Sequence, residues 1–77
     1  GLGRVNGFLQ VAQTHLDSKN YTPAREDLRN AEKALSTYIQ DQLRAGELTL
    51  RKERRVMGFY DRIADLEKRI DEEIKKI

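Results

Sequence analysis

The side chains of this 77-residue sequence that are best suited to bind a charged ligand lie in one short stretch. Four basic residues occupy five consecutive positions: Arg51, Lys52, Arg54 and Arg55. Guanidinium and ammonium groups donate charge-assisted hydrogen bonds to anionic oxygens, so such a cluster suits carboxylates or phosphates. The first chemistry that the sequence offers is therefore anion binding.

Several arginines of the same region also share one face of a predicted helix. At about 100° per residue, steps of four and seven residues return a side chain to nearly the same direction. Gly58 falls on this line, and its lack of a side chain permits close approach by a partner or by a neighbouring helix. We call this set the arginine ridge: Arg51, Arg55, Gly58, Arg62 and Arg69. The ridge lies beside the predicted core-facing stripe.

A structural interpretation of the ridge competes with a functional one. Three acidic residues lie at helical spacing from its arginines or from nearby basic groups: Glu47, Asp65 and Glu73. Ion pairs with these carboxylates would make the ridge an ordinary solvated face. Gly58 would then serve to let helix three pack closely against helix one. The sequence leaves both interpretations open.

No set of residues indicates catalysis or metal binding. His15 is the only histidine, and Thr14 and Ser18 beside it form no nucleophile, base and orienting-acid set. No cysteine is present to act as a nucleophile or to bind zinc. The Asp-Glu-Glu run at 71–73 points in several directions on a helix, and the five glycines fit no phosphate-binding loop. The sequence predicts a protein that is not an enzyme, with no cofactor and no metal.

Composition and charge restrict the class of protein. Hydrophobic residues make up 38% and charged residues 36%, which favours exposed amphipathic helices over disorder or a β-sandwich. The net charge of +2 does not by itself indicate nucleic-acid binding. No apolar run approaches the roughly 20 residues that span a bilayer. We expect a cytoplasmic (intracellular) protein without membrane insertion, and a single domain that, beginning at Gly1 rather than Met, is excised from a longer chain.

Apolar residues at three- and four-residue steps predict the first two helices. Helix one is expected over about residues 4–18, with a polar turn after it. Thr22 and Pro23 predict the start of helix two near residue 23, because threonine caps free amide groups and proline suits the first turn. Helix two is expected to end near residue 45, where Gly46 can adopt the left-handed conformation.

Helix three is predicted over about residues 50–77, with Thr49 as its capping residue. Its apolar positions follow a nearly heptad spacing. They are Val56, Phe59, Ile63, Leu66, Ile70, Ile74 and Ile77. Short connections favour antiparallel neighbours, so the predicted fold is all-α, an antiparallel up-down-up three-helix bundle with a long C-terminal helix. The last turns of helix three are expected to project from the bundle.

Helices one and two resemble a tetratricopeptide repeat over roughly residues 8–35. The large, small and aromatic packing positions of that motif are matched by Phe8, Val11, Ala12, Tyr21, Ala24, Leu28 and Ala31. Lys19 stands where the motif prefers glycine, and no proline ends the unit. One repeat cannot bury its own faces, so the resemblance implies a single hairpin closed by helix three rather than an array.

This arrangement, with Asn20 and Tyr21 before an alanine-bearing second helix, resembles the microtubule-interacting and trafficking (MIT) domain, a three-helix module. The resemblance implies binding of short helical peptides in grooves that flank helix three. It also implies an appendage of a larger protein. No peptide-binding residue is carried over from the family.

The basic cluster occupies the first turns of helix three, where the helix dipole disfavours positive charge by about 0.3–1 kcal/mol per exposed group. This local cost favours a functional role. The leading hypothesis is a non-enzymatic module that binds a partner helix or peptide, acidic side chains being favoured, beside helix three. Its expected binding residues are Arg51, Arg55, Gly58, Tyr60, Arg62 and Arg69.

Two other functions stay open. One is a nucleic-acid-binding or packaging accessory that grips phosphates with Arg51, Lys52, Arg54 and Arg55, although no recognition-helix motif accompanies them. The other is structural self-association, in which Ile74 and Ile77 at the end of helix three pair with a second copy.

Overall fold

The computed structural model describes all 77 residues and contains three helices and no strand. Helix α1 spans Leu2–Asp17, α2 spans Tyr21–Arg44 and α3 spans Leu50–Lys75. The predicted all-α three-helix bundle with a long C-terminal helix is confirmed. None of the helices has an apolar stretch long enough to cross a membrane.

Polar contacts between the helices show their directions. Nδ1 of His15, near the end of α1, lies 2.6 Å from Oδ2 of Asp27, near the start of α2. Arg25, also near the start of α2, donates from Nη2 to Oδ1 of Asp71, near the end of α3, at 2.7 Å. Sequential helices are therefore antiparallel, and α1 and α3 run in the same direction.

The core is a single apolar seam to which each helix contributes one stripe. All thirteen buried residues are hydrophobic: Leu2, Val5, Leu9, Ala12, Leu16, Ala24, Leu28, Ala31, Leu35, Val56, Ile63, Leu66 and Ile70. Phe8 and Phe59 pack against the seam while remaining half-buried. Leu2 lies outside the predicted helix one because α1 begins two residues earlier than expected.

Small side chains bring α1 and α2 together. Ala12 on α1 and Ala24 and Ala31 on α2 are buried, and their short side chains let the two helices approach closely. Val11, expected at a packing position, is instead 46% exposed. Helix α1 packs more closely against α2 than either packs against α3, and the α1–α3 pair makes the fewest contacts. The axes of α1 and α3 are therefore the most widely spaced of the three pairs.

The α2–α3 hairpin extends beyond the start of α1. Helix α1 has 16 residues, whereas α2 has 24 and α3 has 26. Nη1 of Arg62 donates to Oδ1 of Asn6 at 3.4 Å, so these side chains lie at one level of the bundle. Twelve residues of α3 precede that level, whereas only four residues of α1 do. The eight additional residues of α3 extend the hairpin about 12 Å beyond the start of α1, and this part of the hairpin has no third helix beside it. On this overhang Leu43, Leu50 and Met57 are 61%, 63% and 63% exposed.

The opposite end of the bundle is nearly flush. Asp71 contacts Arg25, and beyond that contact α3 and α2 each have four helical residues left. Ile74 is 38% exposed and Ile77, after the end of α3, is 91% exposed. The larger overhang is thus at the start of α3 rather than at its end, because α1 is too short to reach the hairpin turn.

The start of α2 differs from the sequence prediction. The helix begins at Tyr21, with Asn20 at the capping position and no capping hydrogen bond from its side chain, so the assignment of Thr22 as the cap is wrong. The Asn20 N–H donates to the His15 carbonyl at 2.8 Å, which closes α1 and leaves the next residue already helical. Pro23 is tolerated because the first amides of a helix have no partner within it.

The other two helix signals are confirmed. Gly46 follows α2 with a φ of 69°, the left-handed conformation that closes a helix without a side-chain clash. Oγ1 of Thr49 accepts a hydrogen bond from the Lys52 N–H at 3.3 Å and so caps α3.

Lys19 is the only non-glycine residue with a positive φ, at 61°. It occupies the turn position at which the tetratricopeptide motif prefers glycine. The left-handed conformation costs an L residue roughly 1–2 kcal/mol, because Cβ approaches the following carbonyl oxygen. The turn between α1 and α2 is therefore strained at one residue.

We expect Lys19→Gly to raise the free energy of unfolding by about 1 kcal/mol, because glycine adopts this conformation without the clash. Urea denaturation followed by circular dichroism measures the change. Ser18→Gly is the matched control, since Ser18 has a φ of −88° and glycine there only loosens the unfolded chain. A Lys19→Gly variant no more stable than the parent chain would show that the left-handed conformation of Lys19 does not strain the turn.

Candidate functional site

Helix α3 presents two different edges, one on each side of its buried stripe. Arg62 lies on the edge that faces α1, where it contacts Asn6. Tyr60 lines a depression shared with α2 and stands about 160° around the helix from Arg62. The residues expected to form one surface are therefore divided between two surfaces, with Tyr60 apart from the arginine ridge.

The structure brings three members of the arginine ridge together. Arg55, Gly58 and Arg62 line a shallow depression of about 240 Å³ with the half-buried ring of Phe59. A Cβ built on Gly58 would meet nothing within 4 Å, so the interpretation in which Gly58 packs against α1 is wrong. No atom of α1 comes within 4 Å of that position. Gly58 leaves this part of α3 open to solvent.

The ridge arginines are not neutralised by the carboxylates that their spacing suggested. The bundle contains one ion pair, Arg25–Asp71, and one contact between His15 and Asp27, and neither involves the ridge. Arg62 has the hydrogen bond to Asn6, an uncharged partner. The side chains of Arg51, Arg55 and Arg69 are exposed. The expected pairs with Glu47, Asp65 and Glu73 do not form, and Oε2 of Glu73 is buried without a hydrogen-bond partner.

The basic cluster at the start of α3 is smaller than the sequence indicated. Lys52 is half-buried, and its Nζ donates to Oε1 of Gln42 on α2 at 2.6 Å. Arg51, Arg54 and Arg55 remain exposed and line an open depression with Leu50. Lys52 therefore helps to hold α3 against α2, and three arginines are left for an anionic ligand.

The opposite edge of α3 forms an apolar groove with α2 and the connecting segment. Its volume is about 420 Å³, and Glu53 and Arg54 stand at its rim. We call this surface the apolar groove; its hydrophobic residues are Ile39, Leu48, Leu50, Val56, Met57 and Tyr60. This groove is not among the sites predicted from the sequence. Leu43, Leu50 and Met57 lie outside the core-facing stripes of their helices. Apolar residues in such positions were the only feature of the sequence that could have indicated the groove.

Beyond the apolar groove, the boundary between α2 and α3 becomes charged. Arg25, Arg29, Glu67 and Asp71 line a depression there with Leu28. Partial burial between the helices raises the pKa of Glu67, and hydrogen bonding to Glu32 raises it further. The negative charges of Glu32 and Asp71 act in the same direction, while Arg25 opposes them. The contact between α2 and α3 thus ends in a group of carboxylates that Arg25 only partly balances.

A raised pKa means that folded Glu67 holds its proton at pH values at which the unfolded chain has lost it. The contribution of Glu67 to the free energy of unfolding is complete at pH values below its pKa in the unfolded chain. It is lost as the pH rises through its pKa in the folded chain. We expect Glu67→Gln to raise stability at pH 7 by about 0.3 kcal/mol, a small gain because solvent screens a largely exposed side chain. At pH 3 we expect no gain, since the carboxyl is protonated in both states.

Urea denaturation at the two pH values measures the effect of Glu67→Gln. Glu72→Gln is the control, since Glu72 is exposed on the same helix and its substitution changes the net charge equally. Equal changes in the two variants would show that net charge, rather than the position between α2 and α3, is responsible.

His15 has a role that the sequence did not reveal. Its contact with Asp27 ties α1 to α2, and both side chains are partly buried. The neighbouring Thr14 hydroxyl donates to the Gln10 carbonyl at 3.1 Å within α1. No group of three or more His, Cys, Asp or Glu side chains is arranged to hold a metal ion. The position of Asp27 opposite His15 depends on the register of two helices, which periodicity alone does not give.

The two edges of α3 offer different contacts to a ligand: one has unpaired guanidinium groups, and the other has exposed apolar side chains between two helices. Comparison with known proteins adds no relative, because no protein family, curated protein or solved structure matches this chain.

Proposed function

We propose that this chain is a non-enzymatic protein-interaction module that binds one amphipathic helix of a partner protein in the apolar groove. The observation that carries the proposal is the overhang of the α2–α3 hairpin, where Leu50 and Met57 are each 63% exposed. Adjoining apolar side chains at the surface favour contact with an apolar face of a partner. The groove is also continuous with the core, since Val56 belongs to both.

The shape of the groove favours a helix as the ligand. Two antiparallel helices leave a channel between them, and a third helix packs into such a channel at an axial distance of about 8–10 Å. Helix α1 packs into the channel between α2 and α3 on one side of the hairpin, but its first residue does not reach the overhang. A partner helix with apolar residues at positions i, i+3, i+4 and i+7 would present one face to the groove.

The charge around the groove favours an acidic helix. Between Arg44 and Arg55 the chain carries five basic residues and two acidic ones. Acidic side chains on the exposed face of the ligand would be attracted to this end of the bundle. A second copy of the chain would bring like charges together, so self-association is disfavoured. The resemblance to the MIT domain supports the same class of ligand, a short helical peptide.

We expect Met57→Glu to weaken binding of an amphipathic helix at least about tenfold, because it places a charge in the apolar contact. The probe is a synthetic peptide of about 20 residues with leucine at i, i+3, i+4 and i+7 and glutamate on the opposite face. Met57 is the only methionine, so ¹³C-methyl labelling gives a single signal from within the groove. Titration of that signal in the parent chain, and fluorescence anisotropy in both variants, measure the affinity.

Val11→Glu is the matched control for Met57→Glu. Val11 is also an exposed apolar residue, 46% exposed, but it lies on α1. The proposal requires that Val11→Glu retain the parent affinity and that the Met57 methyl signal shift on titration. Light scattering across concentrations tests the second-copy alternative: a dimer that Met57→Glu dissociates would make self-association the function of the groove.

A second candidate function is phosphate binding by nucleic-acid ligands, favoured by the exposure of Arg51, Arg54 and Arg55 without carboxylate partners. If this function holds, affinity for a labelled duplex falls steeply between about 50 and 200 mM salt. Arg54→Ala would reduce the slope of log affinity against log salt by about one. Fluorescence anisotropy measures both, and absence of binding at low salt would remove this candidate.

A further inference from the structure

The arginines on the α1 side of α3 follow the same register as its core. Val56, Ile63 and Ile70 are buried at seven-residue intervals. The residue before each of them is an arginine; these are Arg55, Arg62 and Arg69, which we call the arginine ladder. In a coiled coil, residues that flank the core at this spacing pair with opposite charges on the neighbouring helix. The ladder thus has the register of a charge-pairing edge.

The neighbouring helix in this chain does not supply the opposite charges. Helix α1 contains a single acidic residue, Asp17, whose Oδ1 accepts a hydrogen bond from Gln13 at 2.9 Å. Opposite Arg62 it presents Asn6, whose amide oxygen is uncharged. The α1–α3 pair is also the least closely packed of the three. The ladder is therefore an edge with fixed spacing and no charged partner.

We propose that the arginine ladder binds an acidic helix of a partner protein that carries carboxylates at seven-residue intervals. The helix lies along the α1–α3 side, parallel or antiparallel to α3, with each carboxylate against one guanidinium. Seven residues of helix rise about 10.5 Å, so two helices with this spacing match along their length.

The depression at Gly58 provides the point of closest approach. Arg55 and Arg62 flank Gly58, and a side chain added there would meet nothing within 4 Å. A partner side chain can therefore enter between the two guanidinium groups and rest against the half-buried Phe59. This surface lies on the opposite edge of α3 from the apolar groove, so the two proposals stand on different residues.

The test uses two synthetic helical peptides of 21 residues and identical composition. One carries glutamate at every seventh position, and the other carries the same glutamates at five-residue intervals, which scatters them around the helix. We expect the first peptide to bind the 77-residue chain and the second to bind at least about tenfold more weakly. Fluorescence anisotropy at low and moderate salt measures both affinities.

Charge reversal identifies the surface that is bound. Since an exposed ion pair changes affinity by up to about fivefold, we expect R55E/R62E/R69E to weaken binding of the first peptide roughly a hundredfold. The same variant should bind a peptide with lysine in place of glutamate. The control R29E/K33E/R44E changes net charge equally on exposed residues of α2, and we expect less than about a threefold effect. Circular dichroism verifies that each variant is folded.

Three results would overturn the proposal: no binding of the first peptide, equal binding of the two peptides, or equal loss of affinity in the ladder variant and its control. Binding of a duplex or single-stranded oligonucleotide that requires the ladder, without binding of the peptide, would reassign the surface to nucleic acid. Met57→Glu should leave ladder binding unchanged. The two proposed surfaces can therefore succeed or fail separately.

Discussion

The whole molecule depends on one narrow apolar seam shared by three helices. A chain of this length buries only about 60% of the surface that its unfolded form exposes, so the seam has little stability to spare. It contains no buried polar residue, and alanines hold α1 close to α2. Because α1 contributes 16 residues against 24 and 26, the seam can be complete over only part of the hairpin's length. The turn end of the α2–α3 hairpin therefore has no third helix beside it, and the apolar groove lies at this end, on the side of α3 away from α1.

Local signals in the sequence were sufficient for the fold. Apart from Ile74 and Ile77 at the end of the chain, the apolar residues at three- and four-residue steps are buried or half-buried. Thr49 caps α3, and Gly46 closes α2. The predicted start of helix two was wrong because Thr22 followed by Pro23 is a strong local capping signal. In the structure the Asn20 N–H completes the preceding turn by bonding to the His15 carbonyl, so the helix begins before Thr22. The turn needs a left-handed residue, and Lys19 adopts that conformation although its side chain gives no sign of it.

The candidate surfaces were only partly predictable, since they depend on how the helices are placed along one another. The arginine ridge could be found from its spacing, because all its members lie on one helix. Its lack of carboxylate partners and the open space at Gly58 could not, because residue spacing fixes neither which side chains pair nor where α1 lies beside α3. Tyr60 is close to Arg62 in sequence but lies on the other edge, and the apolar groove unites it with Ile39 of α2.

The two ends of the α2–α3 boundary limit what the apolar groove can hold. From Leu50 to Tyr60 its α3 wall is about 15 Å long, which corresponds to about three turns of a partner helix. Farther along, the boundary is occupied by the Arg25–Asp71 ion pair and by Glu67, whose pKa is raised by partial burial and by its acidic neighbours. A longer apolar ligand would have to cover these charged groups, which costs free energy unless it also pairs them. If the apolar groove binds a partner helix as proposed, that helix must be short and amphipathic, and any extension toward Glu67 must be polar, with basic side chains favoured by the carboxylates there.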